Sequence, residues 1–175
     1  MFTGYKDLSP AALRELLRDN RDLNSVDFSG MEFKDSDLSG KRFTACRFSR
    51  SVFSGVNLDG CRFRMCFFEF ARFSKCSLKN TDIQFCCFSG VHMNNSTFEN
   101  SDLLHNNFNG LLSGNTSFND SDLYNSRFVM ATLKETSFQN CNLKKTMFYQ
   151  TTRDKVSFKS SNTREAIFGK GENPE

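Results

Sequence analysis

The 175-residue sequence has no tryptophan, two prolines and two histidines, His92 and His105. It shows no phosphate-binding glycine loop, zinc-protease signature or paired-carboxylate constellation. No catalytic, cofactor-binding or metal-ligating residue is therefore assigned, and the chain is expected not to be an enzyme. No run of about 18 apolar residues exists, so no helix is expected to span a membrane. Residues 1–7 carry no basic region followed by an apolar core, so no cleavable signal is expected. Without one, the seven cysteines read as reduced thiols of a cytoplasmic protein. The formal charge of +3 neither demands nor excludes a polyanionic partner. The hydrophobic share, 38%, is low for a packed core unless the apolar residues are regularly placed.

They are. Of the 30 residues met by stepping five at a time from Leu23 to Phe168, 27 are Phe, Leu, Ile or Met. This column holds 17 of the 21 phenylalanines, and only Ser113, Arg153 and Thr163 break it. Two residues earlier runs a second column of mostly small side chains, from Val26 through Ser36 and Cys46 to Ala166. Six of the seven cysteines lie in it, Cys87 being the exception. A five-residue period fits neither a helix nor a flat strand. It fits a chain that turns a corner every five residues, with one large and one small side chain inward on each side. Four sides close a square coil of about 20 residues. Every twentieth residue supports that closure: Phe28, Phe48, Phe68, Phe88, Phe108, Phe128, Phe148 and Phe168 form an unbroken series. Such a series is expected of rings stacked between coils about 4.8 Å apart. Gly40, Gly60, Asn80, Asn100, Asp120 and Asn140 stand where a type II turn needs positive φ.

Segments such as Ser101-Asp102-Leu103, Ser121-Asp122-Leu123 and Cys141-Asn142-Leu143 make the chain resemble the pentapeptide repeat family over residues 21–168. It departs from the family pattern by preferring Phe to Leu, and Cys, Ser or Thr to Ala. The resemblance implies an all-β solenoid: a right-handed quadrilateral β-helix of about seven coils. It does not imply one function. Some family members are bacterial effectors delivered into host cells or domains of larger proteins. Others mimic DNA, bind gyrase or a related type II topoisomerase, and confer fluoroquinolone resistance.

A solenoid needs caps. Residues 9–20 read as a helix, with Ser9 as N-cap and Pro10 at the first helical position. Its face of Leu13, Leu16 and Leu17 is expected to cover the first coil; the alternative is a free recognition helix. The expected division is 1–20 as capping segment, 21–168 as β-helix and 169–175 as flexible tail. Arg153 and Thr163 in core positions leave the C-terminal end open to homodimerisation. Leu112 is expected to replace Ser113 in the core through a local distortion.

The partner-binding candidates lie on the outside. Met65, Phe67, Phe70, Phe85 and Cys87 form an apolar corner, with Cys87 the one thiol placed for reactivity. The plainer reading is a loosened corner whose rings tuck over neighbours. Asp82, Asp102 and Asp122, twenty apart, form a stripe suited to a basic partner, or reflect only the repeat's preference for Asp. Residues 41–75 are strongly basic, and no Lys or Arg occurs from Asn80 to Ser126. The acidic stretch thus covers only the middle. A protein-interaction scaffold is favoured over the DNA mimic, which requires acidity along the rod.

Overall fold

The computed structural model describes residues 8–172 and 174. The segment searched above for a signal, residues 1–7, and tail residues 173 and 175 lie outside the described residues. The chain forms a right-handed quadrilateral β-helix of about seven coils, with one short α-helix at its N-terminal end.

The two columns create the coil by a simple rule. The large residue and the small residue two places before it face inward, and the residue two places after the large one takes positive φ. That last condition holds at every fifth position from Ser25 (φ 53°) to Ser160 (φ 62°). Each side is therefore only a few residues of extended backbone between corners. Side 1, centred on Leu23, Phe43, Phe63, Ile83 and Leu103, carries β1 (Asp22–Asn24), β3 (Arg42–Thr44), β5 (Arg62–Arg64), β7 (Asp82–Gln84) and β9 (Asp102–Leu104) as a parallel sheet. Side 3 carries β2 (Glu32–Lys34), β4 (Val52–Ser54), β6 (Arg72–Ser74), β8 (His92–Asn94), β10 (Leu112–Gly114), β11 (Thr132–Lys134) and β12 (Thr152–Asp154). Sides 2 and 4 pair through single parallel bridges twenty residues apart, such as Arg47 with Phe67 and Phe67 with Cys87.

The core is a set of ring ladders. Along side 2, successive rings from Phe28 to Phe168 stand 4.6 to 5.3 Å apart and nearly parallel. Phe98, Phe118, Phe138 and Phe158 repeat the arrangement on side 4. Rings of adjacent sides meet edge to face, as Phe118 and Phe128 do at 5.6 Å. This combines the two favoured aromatic geometries.

The small column does more than fill space. Ser51 Oγ donates to the Phe28 carbonyl at 2.7 Å, Ser126 Oγ to Leu103 at 2.6 Å and Thr146 Oγ1 to Leu123 at 2.8 Å. Each reaches a backbone oxygen in the preceding coil, a partner that alanine cannot supply. Buried Asn106 donates Nδ2 to the Ile83 carbonyl at 2.9 Å and accepts from the Cys86 amide at 2.9 Å. Its polar groups are thus paired inside the tube, as burial requires.

At Ser113 the structure departs from expectation. Leu112 stays outside, 42% exposed, and β10 keeps register with β8 and β11. Leu111, fully buried in the small slot of the same side, supplies the bulk instead. Large and small positions have exchanged sizes, and the Ser113 hydroxyl is satisfied by Thr136 Oγ1 at 2.7 Å.

α1 (Pro10–Asp19) begins at Ser9, whose side chain accepts from the Ala12 amide at 3.3 Å. Leu13 and Leu17 are buried in the same cluster as the coil residues, with Leu16 packed against it. The helix therefore closes the first coil rather than standing free. At the other end Arg153 occupies a core position, its guanidinium 5.2 Å from the Phe168 ring centroid. Glu172 pairs with it at 3.4 Å and turns back on Gly169 through a backbone bond of 3.0 Å. Part of the segment expected to be flexible is thus anchored on the last coil through the pairing of partly buried Arg153 with Glu172.

Candidate functional site

A corner with positive φ suits glycine, which has no Cβ, and asparagine or aspartate, whose short side chains tolerate it. Gly, Asn and Asp hold half of the corners. Met65, Phe70, Phe85 and Met130 do not follow that logic. They adopt φ of 53°, 59°, 56° and 58°, and they are 52%, 60%, 57% and 67% exposed. Such a residue bears roughly 1–2 kcal/mol of left-handed strain and leaves apolar surface in water besides. Neither cost serves the fold.

Met65, Phe67, Phe70, Phe85 and Cys87 all fall on side 2 or its two corners. Phe67 sits directly between Arg47 and Cys87 in the parallel pairing. The rings tuck in part. Phe85 stacks on His105 at 4.9 Å, and the Phe70 ring lies where a Cβ on Gly90 would stand, 2.7 Å from its Cε1. Both remain more than half exposed. The outward residues of side 2 next to Phe85, namely Cys87, Ser89, Asn107 and Asn109, are neutral, whereas Asp27, Arg47, Glu69 and Arg127 carry charge elsewhere on the same side. Further down the same side Met130, Tyr149 and Ile167 are exposed. Sequence reasoning missed these three, although the five-residue rule that placed Phe70 places Met130 equally well.

The aspartate stripe exists as a register: Asp82 pairs with Asp102 and Asp102 with Asp122. As an anionic surface it is uneven. Asp82 accepts from Arg62 Nε at 3.1 Å and also bonds Arg64. Partial burial raises its pKa, but the two guanidinium groups outweigh that and hold the carboxyl below its ordinary value. Asp122 accepts from Asn142 Nδ2 and the Tyr124 amide, both at 2.9 Å. Asp102 alone of the three is exposed.

Cys87 is half-buried and outward, as placed by the sequence, but its environment does not activate it. Burial raises the thiol pKa, and nearby Glu69 adds to that against the Ser89 amide. The other six cysteines are buried and free. Burial pushes Cys61 up to about 12 and Cys141 up to about 11. Cys61 Sγ donates to the Leu38 carbonyl at 3.0 Å, the role serine plays elsewhere. Among the described residues no group of three or more His, Cys, Asp and Glu could hold a metal ion. None of the helices among them is long and apolar enough to cross a membrane.

A family model described as pentapeptide repeat region matches residues 26–97 and 91–168. No curated protein sequence matches the chain. Similar solved structures include a trypsin-treated form of QnrB1, described as a plasmid-mediated fluoroquinolone resistance protein. It is 14% identical, over 81% of this chain and 83% of that one, with a TM-score of 0.34. HetL, involved in heterocyst differentiation regulation in the cyanobacterium Nostoc, is 12% identical over 92% and 97%, with a TM-score of 0.32. A thylakoid-lumen protein of Arabidopsis thaliana is 15% identical over 95% and 74%, with a TM-score of 0.35.

Proposed function

We propose, from the premise that this chain belongs to the pentapeptide repeat family, that it is a non-enzymatic interaction scaffold whose side 2 docks another protein. One observation carries the reading. Bulky apolar side chains stand more than half exposed at left-handed corners, where they carry backbone strain and leave apolar surface in water despite the partial packing of Phe70 and Phe85. The coil behind them is fixed by ring stacks and carbonyl bonds, so the surface is presented already ordered, which lowers the entropic cost of binding.

The competing reading is a DNA-mimicking binder of gyrase or a related topoisomerase. It needs an anionic face running along the rod. Here Asp82 is neutralised by two arginines, and Asn142 follows Asp122 in the stripe. The pairing weighs against it.

Phe67→Asp with Phe85→Asp, checked for an unchanged circular dichroism spectrum, is expected to abolish capture of a partner by the purified protein. Undiminished capture by the double variant would remove side 2 from the argument. Protection of purified gyrase from a fluoroquinolone, with no effect of the double variant, would favour mimicry instead.

A further inference from the structure

Resting on the side 2 reading, we infer that the docked partner is an acidic polypeptide segment, which seats an aromatic or aliphatic side chain on Phe67 and Phe70 and its carboxylates on Arg50, Arg72 and Lys75.

The argument starts from unmatched charge. Some cations on the rod are paired between coils, such as Arg42 with Asp22, Lys79 with Glu99 and Lys155 with Glu135. Others, among them Lys34, Arg127, Lys134 and Lys159, form no ion pair among the described residues; what sets Arg50, Arg72 and Lys75 apart is that they stand around the exposed Phe67 and Phe70. Arg50 stands in the same corner column as Phe70, one coil earlier; its amide donates to the Glu69 carbonyl at 2.9 Å. Arg72 follows Phe70 on side 3, and Lys75 stands at the corner that ends that side. All three are exposed, and among the described residues none forms an ion pair. The carboxylate nearest in sequence, Glu69, accepts from Ser49 Oγ at 2.8 Å. Beside Phe67 lies a shallow recess of about 590 Å³ lined by Ser29, Gly30, Arg47, Ser49, Arg50, Phe67 and Glu69. An apolar centre with a cationic edge is the arrangement of a protein hot spot and its polar rim. The missing element is a set of carboxylates, and guanidinium binds carboxylate in a bidentate fork.

Single-stranded nucleic acid also uses cations beside aromatics. The geometry favours a peptide. Phe85 is stacked on His105 and Phe70 lies against Gly90, so each offers one open face, enough to seat single side chains but not a continuous stack of bases. A continuous phosphate chain would also pass Glu69, which separately placed carboxylates can straddle.

The test is selection of phage-displayed random 16-residue peptides on the immobilised full chain. Phe70→Asn and the pair Arg50→Glu, Arg72→Glu serve as comparisons. Asparagine suits the φ of 59° at residue 70, so that variant keeps its fold. Enrichment of Asp and Glu beside Phe, Leu or Trp is expected. Peptides so selected should bind the charge-reversed pair at least tenfold more weakly and lose binding to Phe70→Asn. Neutral or basic sequences, lost on Phe70→Asn but indifferent to charge reversal, would overturn the acidic partner and leave side 2 as a docking face. Recovery of no binder, or tighter binding of a 20-nucleotide oligothymidylate than of any selected peptide, would also overturn it.

Discussion

At the scale of single residues, corners and thiols answer to different physics. Met130 bears left-handed strain and 67% exposure. Met130→Asn is therefore expected to stabilise the protein by about 0.5–1 kcal/mol, read as a higher thermal midpoint. An unchanged or lower midpoint would mean that the methionine packs on its neighbours. Phe70→Asn should gain less, because the ring's contact with Gly90 is lost. The buried thiols act through pH. Cys61 and Cys141 titrate near 9.0 when unfolded, but folding raises them to about 12 and about 11. The native state then holds more protons, so stability is full below pH 9 and falls as pH rises through the folded values. Each such thiol steepens that loss by at most about 1.4 kcal/mol per pH unit. Cys61→Ser keeps a donor for the Leu38 carbonyl, and it is expected to flatten the decline between pH 9 and 12 in a denaturation series. An equal slope in both proteins would refute the thiol as its source.

At the scale of elements, the sides were legible because each is set by a local rule, whereas substitutions that cross the rule were not. The period in Phe48, Phe68 and Phe88 dictated stacking, and Ser9 with Pro10 dictated where α1 begins. Ser113 misled, because column reading treats positions one at a time while packing fills a volume shared by Leu111 and Ser113. The neutralisation of Asp82 was also hidden: Arg62 stands directly opposite it in the ladder, but Arg64, opposite Gln84, reaches it diagonally. Met130 was overlooked for want of neighbours that would draw attention to it, not for want of a signal. Arg153 tests the same rule at the end of the tube. It interrupts the column below Leu133, and its Nη1 is buried without a partner. Arg153→Leu continues the column and removes that unpaired group, so a gain of about 1–2 kcal/mol is expected in chemical denaturation. Arg153→Ala should lose stability instead, because it opens a cavity over Phe168. The reverse order of the two variants would show that the Glu172 pair, not the column, holds this end.

At the scale of the whole molecule, each coil touches only its neighbours, so stability is close to a sum of coil and interface contributions. A coil can then be removed if the phase is kept. Deleting residues 111–130 brings Phe148 beneath Phe108, Phe138 beneath Phe98 and Leu143 beneath Leu103, so every ladder continues. This variant is expected to fold with the same circular dichroism per residue and a lower thermal midpoint. Deleting 111–122 breaks the five-residue phase, so the coils after the junction lose their register on those before it, and it is expected to lower the thermal midpoint and the circular dichroism per residue more than removal of the whole coil does. The same pair separates the functional readings. Docking confined to residues 47–87 does not depend on what lies beyond residue 110, so the shortened rod should bind a selected acidic peptide within about twofold of the parent. A partner that reads the rod as a length of duplex would instead lose affinity steeply, because removing one coil shortens the rod by about 4.8 Å and takes Asp122 from the stripe. Full binding by the shortened rod therefore places recognition in the apolar corner, and lost binding by a folded shortened rod would place it in the rod as a whole.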